Sequence, residues 1–160
     1  MKRLIILGST GSIGRQALEV ASALADEIEV VGLGVRRDAD ALLRQTARYR
    51  PRAVAVVDQQ AGATVRAGVP RGVEVFAGDD ALARLASEGE ADIVLVAVVG
   101  VAGLLPTLQA LRAGRDVALA NKETLVAGGA LVTREAARRQ KRLLPVDSEH
   151  AAIAQCLRGE

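Results

Sequence analysis

Two carboxylates stand one residue apart late in the chain, where Asp147 and Glu149 follow the apolar residues 143–146. Carboxylate oxygens are hard ligands that favour Mg²⁺ or Mn²⁺ over softer metals. Such a site usually adds another carboxylate or oxygen atoms of a substrate, and no obvious third ligand follows before Glu160. The pair indicates either half of a divalent-metal site or an ordinary surface pair.

An amide, a cation and a carboxylate occur in succession at Asn121, Lys122 and Glu123, directly after another apolar run. Lys122 is one of three lysines in a chain that otherwise uses arginine, which favours a need for a compact positive charge at this point. Capping of a following helix by Asn121 and Glu123 explains the same residues without a ligand. The triplet predicts either a binding site or a helix start.

A glycine-rich turn, with Gly8, Gly11 and Gly14, separates the apolar residues 4–7 from a helical pattern. Glycines let a backbone approach a pyrophosphate, whose charge then rests on the free N–H groups and the dipole of a helix N-terminus. The spacing is not the stricter G-x-G-x-x-G of dinucleotide-binding chains, so an ordinary strand-to-helix turn stays the alternative. The residues expected to border the phosphates are Thr10, Ser12 and Ile13.

Two further segments follow predicted strands. Arg36, Arg37 and Asp38 stand where an NAD-binding chain places an acid for the ribose hydroxyls, and two guanidinium groups there favour a 2′-phosphate. A solvated loop, with Asp38 capping the next helix, is the alternative. The run from Gly100 to Pro106 either leaves room for a flat ligand or forms a loop and helix start with Pro106 in the first turn.

Short β-branched segments alternate with Ala-, Leu- and Arg-rich segments of helical period, which predicts an α/β, doubly wound, mostly parallel sheet with helices on both faces. Ligands of such sheets bind beyond the carboxyl ends of the strands, where all the segments above fall. The predicted strands are residues 4–7, 29–34, 53–57, 73–76, 93–98, 116–119 and 143–146. The predicted helices are residues 16–24, 39–49, 60–67, 81–88, 104–113 and 126–140, with another helix beginning near residue 148.

Composition restricts the function classes. The chain has 160 residues, 50% hydrophobic content and a net charge of +2 with both signs interspersed, which indicates one globular unit without a basic tail. An aromatic content of 1% excludes the stacking platforms of single-stranded nucleic acid binders. The only cysteine, Cys156, excludes an internal disulfide and suits a reducing cytosol, and no apolar stretch reaches the length of a membrane span. We therefore expect a cytoplasmic protein with no nucleic acid or membrane partner.

Four of these segments together resemble the N-terminal part of the 1-deoxy-D-xylulose 5-phosphate reductoisomerases. They are LGSTGSIG at residues 7–14, VGVAGLLPT at 99–107, ANKE at 120–123 and LPVDSEH at 144–150, and their order runs through nearly all of the chain. The resemblance implies a Rossmann-like NADPH-binding domain over residues 1–147 and the truncated start of a catalytic or connective domain over residues 148–160. It also implies reduction and isomerisation of 1-deoxy-D-xylulose 5-phosphate to 2-C-methyl-D-erythritol 4-phosphate, a step of non-mevalonate isoprenoid biosynthesis.

The resemblance also implies roles for individual residues. It places NADPH phosphates at Thr10, Gly11, Ser12 and Ile13, and the nicotinamide half at Asn121 and Glu123. Mg²⁺ or Mn²⁺ would bind Asp147 and Glu149, and the sugar-phosphate substrate would contact Lys122, Ser148 and Glu149. Many members have Gly, Lys and Asn where this chain has Arg36, Arg37 and Asp38, so positive charge is kept at the expected 2′-phosphate site.

Members of this family form homodimers and continue for more than this length again, with a further metal-ligating glutamate, a substrate-phosphate pocket and a lid. We therefore expect the 160-residue chain to bind NADPH without completing turnover alone. A non-catalytic nucleotide-binding module and a different NADPH-dependent oxidoreductase are the alternatives.

Overall fold

The computed structural model describes residues 1–157, apart from the side chains of residues 149 and 150. Within these residues, seven strands form one sheet in the order β4-β3-β2-β1-β5-β6-β7, and every neighbouring pair is parallel. The strands are β1 (Lys2–Leu7), β2 (Ile28–Val35), β3 (Ala53–Val56), β4 (Glu74–Ala77), β5 (Ile93–Val96), β6 (Asp116–Leu119) and β7 (Leu143–Pro145). The helices are α1 (Ser12–Ala23), α2 (Ala39–Tyr49), α3 (Gln59–Gly68), α4 (Ala81–Glu88), α5 (Leu104–Arg112), α6 (Lys122–Arg139) and α7 (Ser148–Leu157).

Both faces of the sheet carry helices because successive strand residues point to opposite sides. In β1, Ile5 packs with Leu85 of α4 and Leu111 of α5, whereas Ile6 packs with Leu18 of α1 on the other face. All five are at most 3% exposed, and burial of such a side chain contributes about 1.5–3 kcal/mol. Helices α1 to α3 therefore cover one face and α4 to α6 the other, which confirms the doubly wound prediction.

The amino ends of β1 and β5 are joined by a charged pair. The backbone N–H, Nε and Nη2 of Arg3 donate hydrogen bonds to the carboxylate of Asp92 at 2.8, 3.4 and 3.1 Å. These bonds favour the ionised acid, and they lower the pKa of Asp92 to about 2. The pair therefore stabilises the edge of the sheet that lies opposite the carboxyl ends of the strands.

The bounds of α2, α4 and β6 agree with the predicted ones, but two helix starts were wrong. Helix α1 begins at Ser12, not at residue 16, and α6 begins at Lys122, not at residue 126. The first turns of both helices line a cavity at the end of the sheet, so they lack the apolar period that marks a core-facing helix. In addition, α6 is interrupted at Gly128 (φ −141°, ψ 22°), which shifts its helical period there.

Strand β5 was predicted to reach residue 98 and ends at Val96. The chain then leaves the β5–β6 ladder, and the carbonyl of Val98 accepts a hydrogen bond from the side chain of Asn121. No helix within residues 1–157 is both long enough and apolar enough to cross a membrane.

Candidate functional site

A cavity of about 290 Å³ opens beyond the carboxyl ends of β1, β5 and β6. The strand order reverses between β1 and β5, and the loops after these two strands diverge, which is where open parallel sheets bind ligands. The cavity is lined by Gly11, Ser12, Ile13, Ala97, Val98, Val99, Ala120, Asn121, Lys122, Glu123 and Asp147. The fold thus brings together residues from three of the predicted segments, which are up to 136 positions apart in sequence.

The glycine turn forms the wall of the cavity next to α1. Gly8 has φ +91°, and a Cβ there would lie 2.5 Å from the carbonyl oxygen of Ala97. A Cβ on Gly14 would collide with the carbonyl oxygen of Gly8 and lie 2.7 Å from Cα of Ser9. These glycines therefore allow the turn to pack against the loop after β5 and allow α1 to begin close to the turn.

The start of α1 faces this cavity, and no side chain among the described residues accepts from its first backbone N–H groups. Gly11 is its N-cap and has no side chain to accept from the first backbone N–H groups. Ser12 and Ile13 line the cavity beside it, whereas Thr10 is outside the lining and accepts a 2.8 Å hydrogen bond from Arg15 through its carbonyl oxygen. A helix N-terminus of this kind attracts negatively charged groups.

A pair of hydrogen bonds that sequence reasoning missed fixes the glycine turn to α2. Ser9 is fully buried, its hydroxyl donates to Oε1 of Gln45 at 2.6 Å, and Nε2 of Gln45 donates to the carbonyl of Ser9 at 2.9 Å. Thirty-six positions separate the two residues, and neither residue type is diagnostic of such a contact. The Ser9–Gln45 pair holds one wall of the cavity in place.

The opposite wall is held by Asn121, which is 2% exposed. Its Oδ1 accepts from the backbone N–H of Thr124 at 3.0 Å, so it caps α6. Its Nδ2 donates to the carbonyls of Val98 at 2.6 Å and Gly100 at 2.7 Å, and we call these two bonds the Asn121 tie. The capping alternative is therefore confirmed for Asn121, and its amide also reaches the loop after β5.

Lys122 and Glu123 are exposed in the first turn of α6, and both line the cavity. Asp147, which is half-buried, reaches the same cavity from the end of β7, and its carbonyl accepts the first hydrogen bond of α7 from Ala151 at 2.9 Å. Ser148 is exposed at the start of α7. The side chain of Glu149 lies outside the described part of the structure.

No group of three or more His, Cys, Asp or Glu side chains that could hold a metal ion occurs among the described residues. Of the two acids in the predicted metal pair, Asp147 and Glu149, the structure places Asp147 at the cavity.

Arg36 and Arg37 are exposed in a second recess of about 560 Å³, separate from the cavity at α1. Asp58 and Asp79 line this recess too, so its charge is mixed. Asp38 is not among the lining residues of either recess, and its carboxylate accepts from the backbone N–H of Ala41 at 3.0 Å. The capping alternative is therefore confirmed for Asp38.

The run from Gly100 to Pro106 forms a 3₁₀ turn, Gly100–Gly103, followed by α5 with Pro106 in its first turn. A Cβ on Gly103 would lie 2.9 Å from Nδ2 of Asn121, so its missing side chain makes room for the Asn121 tie. The predicted loop and helix start are therefore confirmed, and the lining of the cavity comes from the preceding residues 97–99.

Residues 4–129 match the protein-family profile of 1-deoxy-D-xylulose 5-phosphate reductoisomerase. The chain belongs to this reductoisomerase family. The enzyme of this name from Anaeromyxobacter dehalogenans is 51% identical over 99% of the chain. The chain spans 41% of the length of that relative.

Solved structures of reductoisomerases share the fold. The enzyme from Zymomonas mobilis in complex with NADPH superposes with a TM-score of 0.91 and 38% identity, over 97% of this chain and 41% of that one. A DOX-P reductoisomerase in complex with NADPH, fosmidomycin and magnesium superposes with a TM-score of 0.89 and 36% identity, over 98% of this chain and 39% of that one. The Rossmann-like fold expected for the reductoisomerase family is therefore confirmed.

Proposed function

We propose that residues 1–147 are the NADPH-binding domain of a 1-deoxy-D-xylulose 5-phosphate reductoisomerase, and that residues 148–160 begin its catalytic or connective domain. The observation that carries the proposal is the cavity at the reversal of strand order, which joins the N-terminus of α1 to Lys122, Glu123 and Asp147. A dinucleotide placed there has phosphate donors at one end and charged groups suited to a substrate at the other.

The glycine turn fits the pyrophosphate of NADPH. Gly11 presents no side chain at the cavity lining, and the positive end of the α1 dipole lies beside it. We assign the phosphate contacts to Thr10, Gly11, Ser12 and Ile13. Because Thr10 stands outside the cavity lining, we place its contact at the outer edge of the turn.

The nicotinamide half belongs at the other wall in this proposal. Val98 and Val99 offer an apolar surface suited to a flat ring, and the carboxylate of Glu123 can accept from its carboxamide. Asn121 borders the same half of the cofactor. When bound, NADPH supplies the hydride that reduces the substrate.

We assign the 2′-phosphate of NADPH to Arg36 and Arg37. Their guanidinium groups can form bidentate hydrogen bonds with a phosphate, and both side chains are exposed at the recess beside the end of β2. Asp58 in the same recess is engaged with α3, where its carboxylate accepts from the backbone N–H of Ala61 at 2.8 Å. We assign Asp38 to the same cofactor contact, because it follows the two arginines and caps α2 with only one of its carboxylate oxygens.

The metal assignment rests on Asp147 and Glu149, which would hold Mg²⁺ or Mn²⁺ together with water and substrate oxygens. Such an ion polarises a carbonyl and an adjacent hydroxyl oxygen. Lys122 lines the same cavity and would neutralise negative charge on the substrate, with Ser148 and Glu149 as further substrate contacts. For the full-length protein we propose a sugar-phosphate substrate, a homodimer and a cytoplasmic location.

The test is calorimetric titration of the 160-residue chain with NADPH and, separately, with NADH. We expect NADPH to bind at least tenfold more tightly, because each charge-assisted hydrogen bond to the 2′-phosphate contributes about 1.5–3 kcal/mol. The double variant Arg36→Gln/Arg37→Gln should lose this preference. The matched control is Arg66→Gln/Arg112→Gln, which removes the same charge at exposed helix ends and should keep it.

Equal affinity for the two cofactors in the unmodified chain would contradict the roles of Arg36 and Arg37. Binding of neither would contradict the assignment of a cofactor domain. Turnover of 1-deoxy-D-xylulose 5-phosphate by the purified chain would contradict the expectation that residues beyond this chain complete the active site.

A further inference from the structure

Asn121 makes more hydrogen bonds than a helix cap requires. Capping α6 uses only its Oδ1, which accepts from Thr124. A serine or aspartate would cap equally well, as Asp38 and Asp58 do in this chain. The two N–H groups of the amide are what distinguish asparagine here, and both go to carbonyls of the loop after β5.

Two glycines of that loop make the Asn121 tie possible. Gly100 has φ +69°, a conformation that favours glycine, and its carbonyl accepts from Asn121 at 2.7 Å. At Gly103, a Cβ would lie 2.9 Å from Nδ2 of Asn121 and 2.8 Å from Oγ1 of Thr124. The loop is therefore shaped to receive the Asn121 side chain.

The Asn121 tie connects two walls of one cavity. Val98 and Val99 lie on the side of β5, and Lys122 and Glu123 lie on the side of β6. Both carbonyls are partly buried and each accepts one of the amide N–H groups, so the tie fixes the separation of the two walls.

We propose that Asn121 is a positioning residue, whose amide sets Lys122 and Glu123 at a fixed place relative to Val98 and Val99 for the nicotinamide half of the cofactor. This inference rests on the proposed function. The side chain has no N–H left for a ligand, because both are donated to Val98 and Gly100. Asn121 therefore borders the cofactor without donating to it.

The test uses two substitutions in the 160-residue chain. Asn121→Asp keeps the shape of the side chain and the cap, but it points an oxygen instead of an N–H group at the carbonyls of Val98 and Gly100. Asn121→Ser keeps a capping oxygen, but its side chain is too short to reach the two carbonyls. The matched control is Ala136→Gly, which weakens the same helix at a buried position near its far end.

Each variant is titrated with NADPH and with adenosine 2′,5′-bisphosphate, which lacks the nicotinamide half. We expect both Asn121 variants to bind NADPH at least tenfold more weakly and to bind the bisphosphate within twofold of the unmodified chain. Hydrogen exchange of the ligand-free variants should accelerate at residues 99–103 and 122–126. Ala136→Gly should leave both affinities and these segments unchanged.

Three outcomes would overturn the inference. Unchanged NADPH affinity in both variants would remove any role for the Asn121 tie. Equal weakening of both ligands would indicate a general loss of structure. Weaker NADPH binding with unchanged exchange in the ligand-free chain would indicate direct contact between Asn121 and the cofactor. Failure of the unmodified chain to bind NADPH would instead contradict the proposed function, and the exchange experiment would still test whether Asn121 joins the two walls.

Discussion

Gly14 offers the sharpest test of how the glycine turn is packed. A Cβ at this position would collide with the carbonyl oxygen of Gly8 and would stand 2.7 Å from Cα of Ser9 and 2.9 Å from the carbonyl carbon of Gly8. All three atoms belong to the backbone, so no side-chain rotation relieves the contact. Since carbon atoms normally approach to about 3.5–4.0 Å, Gly14→Ala requires α1 to move by roughly 1 Å.

The expected cost follows from two opposing effects. Overpacking of this kind destabilises by about 3 kcal/mol, at the upper end of the usual range, because backbone must shift. Replacing glycine by alanine inside a helix returns about 1 kcal/mol. We therefore expect Gly14→Ala to lower the free energy of unfolding by about 2 kcal/mol. The matched control is Gly129→Ala in α6, where a Cβ would meet nothing within 4 Å, and where only the favourable effect of about 1 kcal/mol applies.

Urea unfolding followed by circular dichroism measures both variants against the unmodified chain. The two substitutions are chemically identical, yet their effects should differ in sign and by about 3 kcal/mol. Gly14→Ala should also weaken NADPH binding, because the shift displaces the first turn of α1 from the cavity. If the two unfolding free energies agreed within about 0.5 kcal/mol, the close packing of α1 on the turn would be refuted.

Three further predictions concern single residues. Asp92→Asn should lower the unfolding free energy at pH 7 by about 1 kcal/mol, since the pair with Arg3 is partly exposed. The pKa of Asp92 is lowered from the ordinary value of about 3.9 to about 2, so its stabilisation is complete above that ordinary value and is lost as pH falls toward 2. Acid titration of stability should therefore be flatter in the variant, and an unchanged acid profile would contradict this. Thr124→Val should keep or raise stability by up to about 1 kcal/mol in urea unfolding, because the fully buried hydroxyl has no hydrogen-bond partner among the described residues; a loss above 1 kcal/mol would refute it. Gly11→Ala should stay folded by circular dichroism, since its Cβ would lie 3.3 Å from the nearest atom, but should bind NADPH at least tenfold more weakly in calorimetry; unchanged affinity would move the phosphates elsewhere.

The sequence predicts the central strands well because most of their residues form short apolar runs that a parallel sheet buries on both faces. Residues 93–96 are an example, and the structure has them as β5. The fold class then predicts that polar residues after neighbouring strands meet at one edge, which is true of Glu123 and Asp147. The hydrophobic period and the sheet topology are therefore sufficient to predict the fold class and the edge of the sheet at which the site lies.

The contacts that hold the site are of another kind. The Ser9–Gln45 pair and the Asn121 tie join segments 36 and 21 to 23 positions apart, and they depend on side-chain rotamers and on the course of two loops. Neither feature leaves a periodic signal in the sequence. The same limit explains why Gly103 was interpreted as possible space for a ligand, when the structure fills that space with Asn121.

These two sets of contacts divide the site into two parts with different supports. The Ser9–Gln45 pair fixes the glycine turn against α2, beside the end of β2 where Arg36 follows, which is the side that we propose for the phosphate half of the dinucleotide. The Asn121 tie fixes the walls beyond β5 and β6, where we propose that the nicotinamide half binds. The two sets of contacts meet at the loop after β5, where a Cβ on Gly8 would lie 2.5 Å from the carbonyl oxygen of Ala97 and where Val98 accepts from Asn121, so we expect their effects on binding to be coupled. If the proposed dinucleotide binds here, preorganisation of both walls by these contacts lowers the ordering cost of binding.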